Sequence, residues 1–300
     1  MKNVKIIVIT AILIIILTGF CGCINNAKHV TNRQVGLGFH EKDPVKVFYK
    51  KTSQVQNDLS LEALDLIYEK YEICSEIFDL PIQDLNPCSM VFCESNSDRY
   101  IRVCKWFAFV DEVQCWPIIG EESMDFKGSL NGYMFYHLLP HEIADTTLRE
   151  RGVDYIYGAW FIEGVGEYTR LLSAQNFNQQ NNSFWISNVI DDLEYLTEQE
   201  ERIVNLSDRS SFNDNGFPGS DDAKIFYPGS LAYIYDLVSI YGDQFISDAV
   251  ANNCKTYEEL RSSILDSTGY DIADSITNVS VEWIKQRYIS ILDEFNVDYN

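Results

Sequence analysis

The sequence predicts an α+β domain behind an export leader, and three observations carry that prediction. Residues 59–78 place apolar side chains at Leu61, Leu64, Ile67, Tyr71, Cys74 and Phe78, the spacing of an amphipathic helix. From Ser89 to about Tyr136, short runs rich in Val, Phe, Ile and Tyr alternate with turn residues, which predicts a small sheet. From Pro140 onward the pattern is helical, with Pro140 at the favoured first position of a helix. Helix, sheet, then helices is the order of an α+β chain.

The leader comes first. Met1 to Lys5 carry two lysines and no acid, residues 6–20 are uncharged and apolar, and the run closes on Cys21-Gly22-Cys23. A basic start, a short apolar stretch and a small-residue exit describe an export signal. Gly22-Cys23 resembles a prokaryotic lipoprotein processing site with Cys23 as the lipidated residue; Phe20 departs from that pattern, and an uncleaved anchor is the alternative. Both place the globular part outside the cytoplasm, anchored to the cell membrane. The division expected is a signal peptide over 1–22, a tether over 23–55 and a domain over 56–300. Within that domain the sheet lies in about 56–139 and the helical half in about 140–295.

Along the domain, Pro81 and the Asp-Leu-Asn-Pro stretch ending at Pro87 stop the first helix. Residues 174–184 and 207–222 read as surface loops around one helix, and helices resume at 229–241 and 243–253. Thr256 and Glu259 form a capping-box pattern, and Gly269 marks the end of that helix. Six cysteines remain in the body, Cys74, Cys88, Cys93, Cys104, Cys115 and Cys254. In an exported protein they suggest up to three disulfides of open connectivity. With 46% hydrophobic and 23% charged residues the composition is globular. The formal charge of −22 sets nucleic acid aside, because the field repels a polyanion.

Chemistry concentrates at His141-Glu142-Ile143-Ala144-Asp145. On the helix that Pro140 opens, positions 141 and 145 lie one above the other, the placement of two metal ligands with a Glu beside the first. Further on comes Trp160-Phe161-Ile162-Glu163-Gly164-Val165-Gly166-Glu167-Tyr168, and then Tyr227-Pro228-Gly229-Ser230 ahead of a helix. Together these segments resemble the gluzincin metallopeptidases, in particular the aminopeptidase-like group. There a His-Glu-x-x-His helix is followed by a Trp-x-x-Glu-Gly-x-x-x-Tyr segment and a tyrosine near a later helix.

The resemblance implies a zincin-like domain with one zinc or other divalent ion. Its ligands would be His141, Asp145 and Glu163, Glu142 would be general base and acid, and Tyr227 the oxyanion donor. Glu167, one turn past Glu163, is a candidate to support the metal from behind. The Gly-x-Met-x-Asn type of signature that marks the aminopeptidases is absent, so exopeptidase specificity is not implied.

Asp145 departs from the family's second histidine. It is shorter, and with Glu163 it neutralises a divalent ion, which weakens the pull on water. It also relaxes selectivity toward Mn, Fe or Co. His137 lies before Pro140 and so ahead of the helix, expected at a strand end and in core packing beside Tyr136. Two functions follow: a lipid-anchored metallopeptidase acting on peptide or protein substrates, or an inactive surface lipoprotein that keeps the cleft to bind peptide or envelope components.

Overall fold

The computed structural model describes residues 37–93, 114–119, 130–216 and 220–299. Residues 1–36, on which the expected leader and Cys23 fall, lie outside them. No helix among the described residues is long and apolar enough to cross a membrane. The chain is mixed α/β and mostly helical, and divides into two units: residues 1–68 with 86–124, and residues 69–85 with 125–300.

The first unit holds a four-stranded sheet in the order β1 (Leu37–Lys42), β2 (Val45–Lys50), β3 (Cys88–Cys93), β4 (Gln114–Ile119). β1 and β2 form an antiparallel hairpin with Phe39 opposite Phe48, whereas β2, β3 and β4 run parallel. A parallel neighbour needs a crossover, and α1 (Gln54–Phe78) supplies the one between β2 and β3. Val45 and Val47 are fully buried while Lys46 and Tyr49 are only half-buried. Part of the expected tether is therefore strand, and the sheet begins well before residue 56. The helix predicted over 59–78 begins at Gln54, and Leu61, expected on its apolar face, is 47% exposed.

The second unit is built around α3 (Tyr155–Asn176). Residues 158–169 of this helix are all buried, the signature of a helix enclosed by others. Its N-terminus is capped by Asp154, whose carboxylate accepts from Ile156 N at 2.7 Å. α2 (Leu139–Glu150) and α5 (Ala223–Tyr241) pack against it, α4 (Ser183–Glu198) packs on α5, and α6 (Gln244–Ala251), α7 (Tyr257–Thr268) and α8 (Val281–Glu294) follow. A two-stranded antiparallel pair, β5 (Ile203–Val204) with β6 (Val279–Ser280), joins two loops of this unit.

Three local expectations change. Helical structure starts at Leu130, ahead of Pro140: a turn over Leu130–Tyr133 passes into a π turn over Met134–Leu138 and then α2. Pro140 lacks an N–H and crowds the preceding turn, and the wider π register fits where the α ladder loses that donor. His137 consequently sits in the π turn instead of at a strand end. It is fully buried, hydrogen-bonds Gln179 O at 2.8 Å and packs against Trp185. Tyr227 and Pro228 lie inside α5, four residues or more past its start, where a helix opening near 229 was expected. Finally, Cys74 and Cys254 are buried free thiols, so three disulfides do not form. The side chains of Cys88, Cys93, Cys104 and Cys115 are outside those described.

The capping box is present as read, with Thr256 Oγ1 accepting from Glu259 N at 3.2 Å and Gly269 closing α7 at φ 73°.

Candidate functional site

α2 and α3 pack face to face, and the contact is set by a small residue. A Cβ on Gly166 would stand 2.8 Å from Nδ1 of His141, so the glycine makes the space the imidazole fills. His141 is 7% exposed and lies between two carboxylates on consecutive turns of α3. Its Nε2 is 3.2 Å from Glu163 Oε2, and its Nδ1 is 3.0 Å from Glu167 Oε1. Arg170, one turn further along, pairs with the other oxygen of Glu167.

Glu163 takes two further hydroxyls on Oε1: Tyr155 donates at 2.5 Å and Tyr227 at 3.4 Å. The ring of Tyr227 lies 6.4 Å from that of His141. Its placement in the body of α5 is made possible by Gly164, where a Cβ would meet Ser230 O at 2.5 Å, so that α3 and α5 approach closely. Asp145, one turn after His141, turns Oδ2 to Arg149 at 2.5 Å. Its Oδ1 is buried with no hydrogen-bond partner among the described residues.

The electrostatics follow from burial. Burial disfavours the imidazolium of His141, but the hydrogen bonds and charges of Glu163 and Glu167 outweigh it and hold its pKa well above the ordinary value. Burial pushes Glu142 up to about 7, with the His141 charge pulling the other way. Asp145 is raised by burial, which the Arg149 charge opposes only in part. Glu163 ends below its ordinary value: burial would raise it, but His141 and the Tyr155 hydroxyl win.

Of the residues picked out in the sequence, His141, Glu163, Glu167 and Tyr227 meet directly. Glu142 lies within the same field of charge, acted on by His141, Asp145 and Glu163. Glu167 holds the Nδ1 side of His141, opposite Glu163 on Nε2. Arg149, Tyr155 and Arg170 were not foreseen. Asp145–Arg149 and Glu167–Arg170 are helix pairs at i,i+4 and i,i+3, a spacing the sequence does display. Tyr155 reaches Glu163 from the first turn of α3 and carries no such signal.

Among the described residues, no group of three or more His, Cys, Asp or Glu side chains is arranged to hold a metal ion. Two of the three expected donors are nonetheless in place. Ligands about 2.0–2.2 Å from a tetrahedral zinc stand roughly 3.3–3.6 Å apart, slightly more than the 3.2 Å between His141 Nε2 and Glu163 Oε2. Asp145 adds a buried carboxylate oxygen without a partner. The donor set thus suits a divalent ion in type and burial, with Asp145 paired to Arg149 and Glu163 to His141. Two open surface concavities lie elsewhere: one of about 340 Å³ beside Phe78, Arg151 and Asp248, the other of about 480 Å³ beside Tyr233, Tyr270 and Trp283. No protein-family model matches the chain, and no curated protein matches it in sequence.

Proposed function

We propose that the chain is a gluzincin-like metal-dependent peptidase of the zincin fold, tethered outside the cytoplasm through its N-terminal leader. The observation that carries this reading is the bracketing of His141 by Glu163 on one ring nitrogen and Glu167 on the other, at 3.2 and 3.0 Å. His141, Asp145 and Glu163 would hold a single divalent ion, zinc first among them. When bound, such an ion supplies Lewis acidity toward a carbonyl oxygen and toward water.

The chain's own groups divide the remaining work. Glu142, next to His141, accepts a proton from the attacking water and delivers it to the leaving amine, so that one water and one amide give an acid and an amine. Tyr227 presents a hydroxyl beside Glu163 for the oxygen that gains charge, an effect of a few kcal/mol where alignment is good. Glu167, itself held by Arg170, fixes the plane of the His141 ring.

A second reading is favoured by three pairings. Asp145 pairs with Arg149, Glu167 with Arg170, and Glu163 with a protonated His141. The cluster is balanced by its own cations, and in that case it is an inert anchor between α2 and α3 in a surface protein that binds peptide or envelope components.

Metal analysis of the purified full chain after zinc repletion separates the two. The peptidase reading expects about one divalent ion per chain, cleavage of a fluorogenic peptide library, and loss of that cleavage in Glu142→Gln with an unchanged thermal melt. A metal-free chain with no hydrolysis overturns it in favour of the ion-pair cluster.

A further inference from the structure

Arg149 has no place in the peptidase scheme, yet it contacts one expected ligand, Asp145, and lies over the ring of the tyrosine that holds another. It follows Asp145 by one helical turn, and its guanidinium donates to Asp145 Oδ2 at 2.5 Å. The two ends of this pair differ in exposure: the Asp145 side chain is 9% exposed and that of Arg149 39%. The arginine head can therefore reach water by a change of rotamer, while the carboxylate stays in the site. The guanidinium also lies 5.5 Å from the centre of the Tyr155 ring, whose hydroxyl occupies Glu163 Oε1. Arg149 and Tyr155 together engage one oxygen of each expected carboxylate ligand. The remaining oxygens are Asp145 Oδ1, buried without a partner, and Glu163 Oε2, which faces His141.

We propose that Arg149 is a tethered cation that competes with a divalent metal ion for Asp145. The guanidinium holds the position while no metal is bound and must swing outward for a metal to be taken up. This deepens the metal-site reading above and rests on it. Two cations cannot share one buried carboxylate without strong mutual repulsion at low local dielectric, so the arginine lowers the site's affinity for the ion. The other cations near the cluster are differently engaged. Arg170 pairs with Glu167, and Arg209 donates to Gly216 O at 2.9 Å while lying over Tyr155 and Phe226. Neither substitutes for Arg149 at Asp145.

Calorimetric titration of zinc into the full chain, compared across variants, tests the proposal. Arg149→Gln and Arg149→Met both remove the charge, the second keeping an apolar stem of similar length. Both are expected to bind zinc about tenfold more tightly than wild type or better, because removing the guanidinium charge relieves its repulsion of the incoming ion at Asp145. Arg149→Lys, which keeps a cation, should stay near wild type, and adding Asp145→Asn to Arg149→Gln should erase the gain. Equal affinity in wild type and the two charge-removing variants overturns the competition while leaving the metal site standing. Zinc binding in none of the proteins, each shown folded by circular dichroism, overturns the metal site and the competition with it.

Discussion

Lys70 stands where the helix period of α1 asks for an apolar side chain. It is fully buried, its Nζ has no hydrogen-bond partner among the described residues, and it lies 3.3 Å from the centre of the Phe177 ring and 4.5 Å from that of Tyr136. Burial drives its pKa well below 10.5, against the pull of Glu69. The unfolded lysine binds a proton up to about pH 10.4, whereas the folded one releases it much earlier. The unfolded state thus holds more protons in that window, and this residue makes stability rise with pH. Urea unfolding of Lys70→Met should show a gain of about 1–3 kcal/mol at neutral pH and a flatter pH dependence between 7 and 10. An unchanged or steeper dependence would show that Lys70 keeps its proton in the fold. A hydropathy pattern has no means of finding such a residue, since it reads every lysine as solvated. The same blindness hid Arg149: its spacing from Asp145 was plain, but an acid–base pair at i,i+4 ordinarily marks an exposed helix face.

At the scale of elements, two glycines of α3 do different work. Gly164 faces the backbone of α5, where a Cβ would meet Ser230 O and an Ile234 side-chain carbon at 2.5 Å. At Gly166 the nearest neighbours of a Cβ would be atoms of the His141 ring, from 2.8 Å. Gly164→Ala must push two helices apart and should cost about 2–3 kcal/mol in a thermal or urea melt. Gly166→Ala should cost less, because one side chain can yield, but it should displace His141, seen as a shifted imidazole resonance by NMR. Equal melts for the two variants would contradict this division. The Glu-Gly segment was legible because a helix repeats its faces, so residues 163, 164, 166 and 167 had fixed relative directions once the helix was granted. The π turn before α2 was not legible. Pro140 is a strong start signal, and nothing in the local pattern shows that the preceding turn would widen to pass through it. The β1–β2 hairpin was equally hidden, since only Val45 and Val47 alternate clearly against polar neighbours.

For the molecule as a whole, the sequence conveyed the first long helix, the helical second half and the existence of one polar centre on helices, because period and spacing are local properties. It placed the sheet after the first helix and so missed β1 and β2 ahead of it. It did not convey the two-unit division, or which cation would sit on which carboxylate, because both depend on residues distant in the chain. The small β5–β6 pair carries a consequence for the time course of folding. It joins positions about 75 residues apart, and closing a loop of that length costs on the order of 4 kcal/mol in chain entropy before any constant. A two-residue ladder returns about 1 kcal/mol per hydrogen bond, too little to form first. α5, α6 and α7 lie within that loop and must dock before the strands can meet. The ribbon is therefore a late stitch, absent from the rate-limiting state. In stopped-flow measurements Val204→Ala should speed unfolding and leave the folding arm of the chevron almost unmoved. A slower folding arm would mean that the two ends of the loop meet early and the helices assemble inside a closed ring.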